Sequence, residues 1–188
     1  MEYNEIEKDV KNILSEKRFK HSIGVVKRAI ELAKIYNIDE ETVKKVAIAH
    51  DCAKELSAEE ALNYVKQNNI EIDEVEQLEP GLLHSKIGAD IVRKKYNFSK
   101  EMVDAILYHT IGDINMDTLA KIIYIADKTE EGRVHIDKET AVNLAIQNLD
   151  DGVLFVSKYM IEHSLKKNSL IHPNTIQLIN KIIKEKRG

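Results

Sequence analysis

Seven glycines and two prolines are all that these 188 residues contain. That is about 5%, against roughly 12% in an average protein. A chain with so few residues that break helices or turn sharply is confined to long elements and few corners. Hydrophobic residues make up 43% and charged residues 32%. That mixture describes a soluble, globular chain rather than a disordered one. The expectation is an all-α fold.

The hydrophobic pattern agrees. Ile6, Val10, Ile13 and Leu14 share one face of a helix expected over 5–19. Val25, Ala29, Leu32 and Tyr36 continue the pattern over 21–36. Asp39 reads as an N-cap for a helix reaching about 53. Ser57 to Glu60 is a capping box that opens a helix to about 68. Residues 69–80 read as a loop or a short helix, ending at Pro80-Gly81. Six more helices are expected over 82–96, 100–111, 116–129, 138–149, 151–168 and 173–186. No strand pair, linker or repeat stands out, and one domain is the economical reading.

Lys and Arg number 28 against 32 Asp and Glu, a net charge of −4. A protein that grips long nucleic acid usually carries a basic excess, so that partner is not expected. The one cysteine, Cys52, can form no intramolecular disulfide, which fits a reducing, cytoplasmic setting. The acidic start shows no signal-peptide pattern. The longest stretch free of Asp, Glu, Lys and Arg, Asn168 to Asn180, is polar, so no membrane-spanning helix is expected. A homodimer is compatible with the sequence, but no heptad seam or apolar patch marks its interface.

The anomaly lies on the apolar faces. His21 falls on the stripe of Val25 and Ala29, and His50 follows Val43, Val46 and Ala47. Asp51 is the immediate neighbour of His50. His84 shares a face with Ile87, Gly88 and Ile91, and His109 with Met102, Ala105 and Ile106. Asp127 follows Ala120 and Ile123. One histidine on such a face is usually a hydrogen-bonded core residue. Six groups on five helices are another matter, because buried carboxylates are costly unless paired or bound to metal. A metal cluster answers all six at once. Imidazoles with carboxylates suit Fe, Mn, Co, Ni or Zn better than Ca or Mg.

A lone histidine, a His-Asp doublet and a later aspartate resemble the pattern of the HD superfamily of metal-dependent phosphohydrolases. His21, His50, Asp51 and Asp127 match it, and His84 and His109 resemble the extra pair of its two-metal members. The segments His50–Leu56, Pro80–His84, His109–Gly112, Ile125–Arg133 and Ile171–Thr175 are similar to the YqeK group. The similarity implies a single HD-domain helical bundle with a buried dinuclear site. It would occupy residues 1–188, with a core over about 15–180, an N-terminal helix over 1–14 and a basic helix end over 181–188. It also implies symmetrical hydrolysis of bis(5′-nucleosyl) tetraphosphates, chiefly diadenosine tetraphosphate to two ADP, with iron as the metal.

By the same resemblance His21, His50, Asp51 and Asp127 would hold one ion, and His84 and His109 with Asp51 the other. Asp51 would bridge the pair and so serve catalysis directly. Two metals close together lower the pKa of water between them. Lys54, one helical turn after His50, could reach the same site and stabilise phosphate charge or pair with a carboxylate; the plain reading is a surface lysine. Arg133, beyond the Gly132 turn, could clamp phosphates, with Arg18 beside it. The amides of Gly81, Leu82 and Leu83 suit phosphate oxygens, although a short turn explains them too. Thr110 could bind a phosphate oxygen. Leu170, Ile171, His172, Pro173, Asn174 and Thr175 would meet a base or ribose, or merely start a helix at Pro173. Cys52 reads as a small packed residue. His135 and His163 match no ligand position and read as surface or local hydrogen-bonding residues.

Two other functions compete. One keeps the fold and metal but takes another nucleotide: a monophosphate, a triphosphate or a guanosine alarmone. The other is a non-catalytic nucleotide or metal sensor.

Overall fold

The computed structural model describes residues 1–188. Eleven α-helices follow one another without a strand: α1 (Tyr3–Ile13), α2 (Glu16–Ile35), α3 (Glu40–Ala49), α4 (Ala58–Gln67), α5 (Glu74–Leu78), α6 (His84–Lys95), α7 (Lys100–Tyr108), α8 (Thr118–Thr129), α9 (Lys138–Gln147), α10 (Leu149–Lys166) and α11 (Pro173–Glu185). A 3-10 turn, Pro80–Leu82, leads into α6.

How such a chain turns without glycine is visible at four corners. Asn37, Asn69, Asn97 and Asn168 all adopt the left-handed conformation, with φ of 52–53°. Each lies just past the end of a helix: α2, α4, α6 and α10. Asparagine tolerates this region better than any other residue with a Cβ apart from aspartate, so it replaces the usual terminal glycine.

Helix α8 is the axis of the molecule. Leu119, Ala120, Ile122, Ile123, Tyr124, Ile125 and Ala126 are all buried, so every side of the helix faces protein. Its one aromatic hydroxyl, on Tyr124, meets Ser157 Oγ at 3.0 Å. Helices α2, α3, α7, α9 and α10 surround it. Helix α1 lies against α3. A smaller apolar cluster of Ala53, Ala61, Val65, Leu83 and Ile87 seats α4.

Three boundaries differ from the sequence expectation. The helix expected over 5–19 is two elements: Leu14 is extended and Ser15 caps α2 by accepting from the Arg18 amide. Glu55 fixes this corner through the Ser15 amide and hydroxyl. The helices expected to reach about 53 and 111 stop instead at Ala49 and Tyr108. Both early stops fall beside a histidine, His50 and His109, which occupy the C-cap positions.

Candidate metal centre

Helices α3 and α7 end where His50 and His109 begin. The end of a helix leaves carbonyls without amide partners. His50 Nδ1 donates to the carbonyl of Ala47 at 2.7 Å, and His109 Nδ1 to that of Ile106 at 2.7 Å. His84, at the start of α6, does the same with Gly81 at 2.7 Å. A carbonyl only accepts, so each Nδ1 carries the proton and each Nε2 presents a lone pair. His21 reaches this state differently: Glu130 Oε1 lies 3.1 Å from its Nδ1. Four imidazoles are thus locked in one tautomer, with Nε2 turned inward.

The inward atoms crowd together. His84 and His109 Nε2 stand 3.1 Å apart. Asp51 Oδ1 is 3.3 Å from His84 Nε2 and 3.5 Å from His109 Nε2. Asp51 Oδ2 faces the other pair, 3.8 Å from His21 Nε2 and 3.7 Å from His50 Nε2. Asp127 Oδ1 lies 3.1 Å from His21 Nε2 and 3.9 Å from His50 Nε2. His50 Nε2 is buried with no hydrogen-bond partner. Lone pairs facing lone pairs repel; a cation between them removes the conflict. Ligand atoms bonded to one transition metal at about 2.1 Å lie roughly 3.0–3.5 Å apart, close to these spacings. The donor set fits a metal. His21, His50 and Asp127 form one candidate ligand group, and His50, Asp51 and His109 another.

Burial and charge set the protonation states. Burial presses His50 down to about 4, against the pull of Asp51 and Asp127. Burial also lowers His84 and His109, though Asp51 pulls them the other way. For Asp51, burial opposes ionisation, but the positive charge that His50, His109 and His84 carry when protonated holds it well below the usual carboxylate range. Asp127 is held down likewise, burial being outweighed by Lys128, His21, His50 and Arg133.

A cleft of about 340 Å³ opens above the cluster. Its floor includes Asp51, His84 and Asp127, and four cations line it: Arg18, Lys54, Lys128 and Arg133. Arg18 Nη1 is 3.4 Å from Asp51 Oδ2. Lys54 Nζ is 3.3 Å from both ring nitrogens of His84. Burial lowers the Lys54 ammonium. Arg133 grips Asp127 twice, at its carbonyl (2.8 Å) and at Oδ1 (2.6 Å). Lys128 pairs with the other carboxylate oxygen. The Thr110 hydroxyl lies 3.0 Å from His84 Nε2 and 3.2 Å from His109 Nε2.

The flanking segments differ from the sequence reading in detail. Leu82 lines the cleft, but Leu83 is fully buried and packs under α4. The Leu82 and Leu83 amides are spent inside their turn, on the carbonyls of Glu79 and Pro80. Gly81 contributes its carbonyl to His84. His172 has both nitrogens committed: Nε2 to Asp73 at 2.6 Å, and Nδ1 to the Asn174 amide at 3.2 Å. The Thr175 amide returns to the His172 carbonyl. His172 is therefore the cap of α11, and Pro173 occupies its first turn. Asn174 reaches Asp113, and the Thr175 hydroxyl the Ile111 carbonyl. Leu170, Ile171, His172 and Thr175 line a side cleft that shares Leu82, Thr110 and Met160 with the main one.

Several neighbours escaped the sequence reading. His135 and His163 both line the main cleft, with Ile136, Tyr159 and Met160. Tyr159 and His163 stack at 5.8 Å. Their spacing of four residues on α10 was the available signal. Glu130, buried beside His21, had none. Its carboxylate also accepts from the Gly132 amide at 2.6 Å. A Cβ on Gly24 would stand 2.5 Å from Glu130 Oε2. The glycine in the middle of α2 is what lets Glu130 in.

Cys52 is buried and free. Burial, with Asp51 next to it, pushes its thiol up to about 12. The native protein should resist iodoacetamide at pH 8 for hours and react within minutes in denaturant. Mass spectrometry reads this directly; rapid native labelling would mean the thiol is neither shielded nor protonated.

A sequence model of the HD domain matches residues 18–132. The chain belongs to the HD domain family. The chain is 34% identical over 179 residues to a Halalkalibacterium halodurans protein named bis(5′-nucleosyl)-tetraphosphatase, symmetrical, covering 95% of both chains. A Bacillus subtilis protein of the same name is 31% identical, covering 93% of this chain and 94% of its own. A crystal structure from Clostridium acetobutylicum, described as a predicted HD superfamily hydrolase involved in NAD metabolism, superposes with a TM-score of 0.93. It is 33% identical and covers 98% of each chain. No helix of the chain is long and apolar enough to cross a membrane.

Proposed function

We propose that the chain hydrolyses diadenosine tetraphosphate and related dinucleoside tetraphosphates symmetrically, to two nucleoside diphosphates. The observation that carries this reading is Asp51, set between two imidazole pairs with one oxygen toward each, below a cleft lined by four cations. The names of the Halalkalibacterium and Bacillus relatives support the substrate class. The reading extends to two transition-metal ions, iron foremost by family resemblance, held by His21, His50, Asp51, His84, His109 and Asp127. It also places the enzyme in the cytoplasm, where a lone free thiol is at home.

Metal bound there supplies charge neutralisation and water of lowered pKa. The chain's own residues do the rest. Symmetrical cleavage breaks the oxygen bridge between the second and third phosphorus atoms and leaves a diphosphate on each side. Both products depart as stable anions, so the step calls for positive charge more than for a strong acid. Lys54 and Lys128 provide it from the cleft wall, and Arg18 with Arg133 from its rim. Thr110 is set to donate to a phosphate oxygen. Leu82, Leu170 and Ile171 offer apolar contact toward the nucleoside, and Tyr159 and His163 offer ring faces to the base.

The test is product analysis. Metal-loaded protein incubated anaerobically with diadenosine tetraphosphate should give ADP as the sole initial nucleotide. ATP with AMP would refute the symmetrical register, and no product from fully loaded protein would refute the reading itself.

Glu130 gives a second expectation. Carboxylates behind a metal-bound imidazole typically contribute 10–100-fold in affinity. Glu130→Ala should weaken metal binding about tenfold or more in a chelator competition, with helical content unchanged. Wild-type affinity would leave Glu130 without a part in holding His21.

A further inference from the structure

A second cationic space adjoins the cluster. A groove of about 600 Å³ runs along α2, sharing His21, Arg18 and Arg133 with the cluster and cleft. Lys17, Lys20 and Lys27 line it. At 3.6 residues per turn these three fall on one face, extending about 15 Å from end to end. None of the three is in an ion pair, unlike Lys44, Lys86 and Lys121; Lys8, Lys66 and Lys184 are likewise unpaired, and what sets Lys17, Lys20 and Lys27 apart is that they share one groove. Two acids also line the groove. Glu130 turns its carboxylate to His21 and the Gly132 amide, away from the lysines. Arg18 and Arg133 are paired with Asp51 and Asp127 at the cluster, so Glu131 is the one carboxylate of the groove left to oppose Lys17, Lys20 and Lys27. Ile23 is the single apolar lining residue.

We infer that the Lys17–Lys20–Lys27 groove binds the second nucleoside diphosphate half of the substrate, through its phosphates. The inference rests on the proposed reaction. A substrate cut at its centre must extend equally to both sides of the bridging oxygen that is broken. The cleft with Tyr159 and His163 offers rings to one nucleoside. The groove, rich in charge and poor in apolar surface, suits the phosphates of the other. Arg18 and Arg133 line both spaces and can hold the central phosphates.

The experiment compares the wild type with Lys17→Glu/Lys20→Glu/Lys27→Glu, both metal-loaded. Calorimetric titration should count two ADP per wild-type chain and one per variant chain. The variant's KM for diadenosine tetraphosphate should rise at least about tenfold, with kcat falling no more than about threefold, as expected for lost charge steering and binding. Lys8→Glu/Lys66→Glu/Lys184→Glu changes the net charge equally at exposed lysines elsewhere, and its KM should stay within twofold of wild type. One ADP per wild-type chain, two per variant chain, or an unmoved KM would each overturn the inference while leaving the reaction standing. A wild type that makes no ADP from the tetraphosphate would overturn the reaction, and the groove's assignment with it.

Discussion

Asp51→Asn should lower turnover of diadenosine tetraphosphate by at least about 1000-fold. The aspartate turns one oxygen to His84 and His109 and the other to His21 and His50. An amide keeps an oxygen for only one pair and sets an NH2 group, which cannot ligate, against the other. A factor of 1000 corresponds to about 4 kcal/mol of transition-state stabilisation, within what metal chemistry contributes. Elemental analysis should show the loss of at least one metal equivalent. The fold should survive, because the NH2 group can donate to a facing imidazole and a buried charge has been removed. Circular dichroism and thermal melting of the metal-free protein separate the two effects. A folded variant with full metal and more than a tenth of wild-type turnover would remove Asp51 from the centre.

The largest stability effect is expected far from the cluster. In the middle of a helix, Gly→Ala ordinarily stabilises by about 1 kcal/mol. At Gly152 in α10 the sign should reverse. A Cβ there would stand 2.5 Å from Ala145 Cβ, 2.9 Å from Ala145 Cα and 3.0 Å from Ile125 Cδ1. The first two atoms belong to the α9 backbone or hang directly from it, so α9 and α10 must move apart. Gly152→Ala should cost about 2 kcal/mol net, or about 4–8 °C in Tm for a chain of this size. Gly81→Ala is the control, since nothing lies within 4 Å of its Cβ position. It should move stability by no more than about 0.5 kcal/mol. An unchanged or raised Tm for Gly152→Ala would show that α9 and α10 are not in that close contact.

Much of this was legible in the residues. Scarce helix breakers foretold a helical fold, because corners need particular backbones. The four left-handed asparagines were harder to see, since asparagine also serves as a cap or a surface residue. The six His and Asp side chains stood out because their helical faces were otherwise apolar. Their tautomers did not, because those depend on where helices stop, and hydrophobic period says little about that. His50 and His109 were expected inside helices and are the residues that follow them. Partners distant in sequence were equally hidden: Glu130 reaches His21, and Asp73 reaches His172. The cleft wall from α10 escaped notice because Tyr159 and His163 resemble ordinary surface residues until the chain folds over.

The positions of the helix ends carry an electrical meaning as well. Helices α3 and α7 both finish at the cluster, and a helix finishes with roughly half a negative charge. Their ends add to Asp51 and Asp127 on the inner side, deepening a potential well for cations. Helix α6 begins at His84, on the cleft floor, so the positive charge toward the mouth comes from the side chains of Arg18, Lys54, Lys128 and Arg133. Helix ends and side chains together therefore build a gradient, negative at depth and positive toward the mouth. A cation is drawn inward and a polyanion is held in front of it, so the two meet in the order that hydrolysis requires.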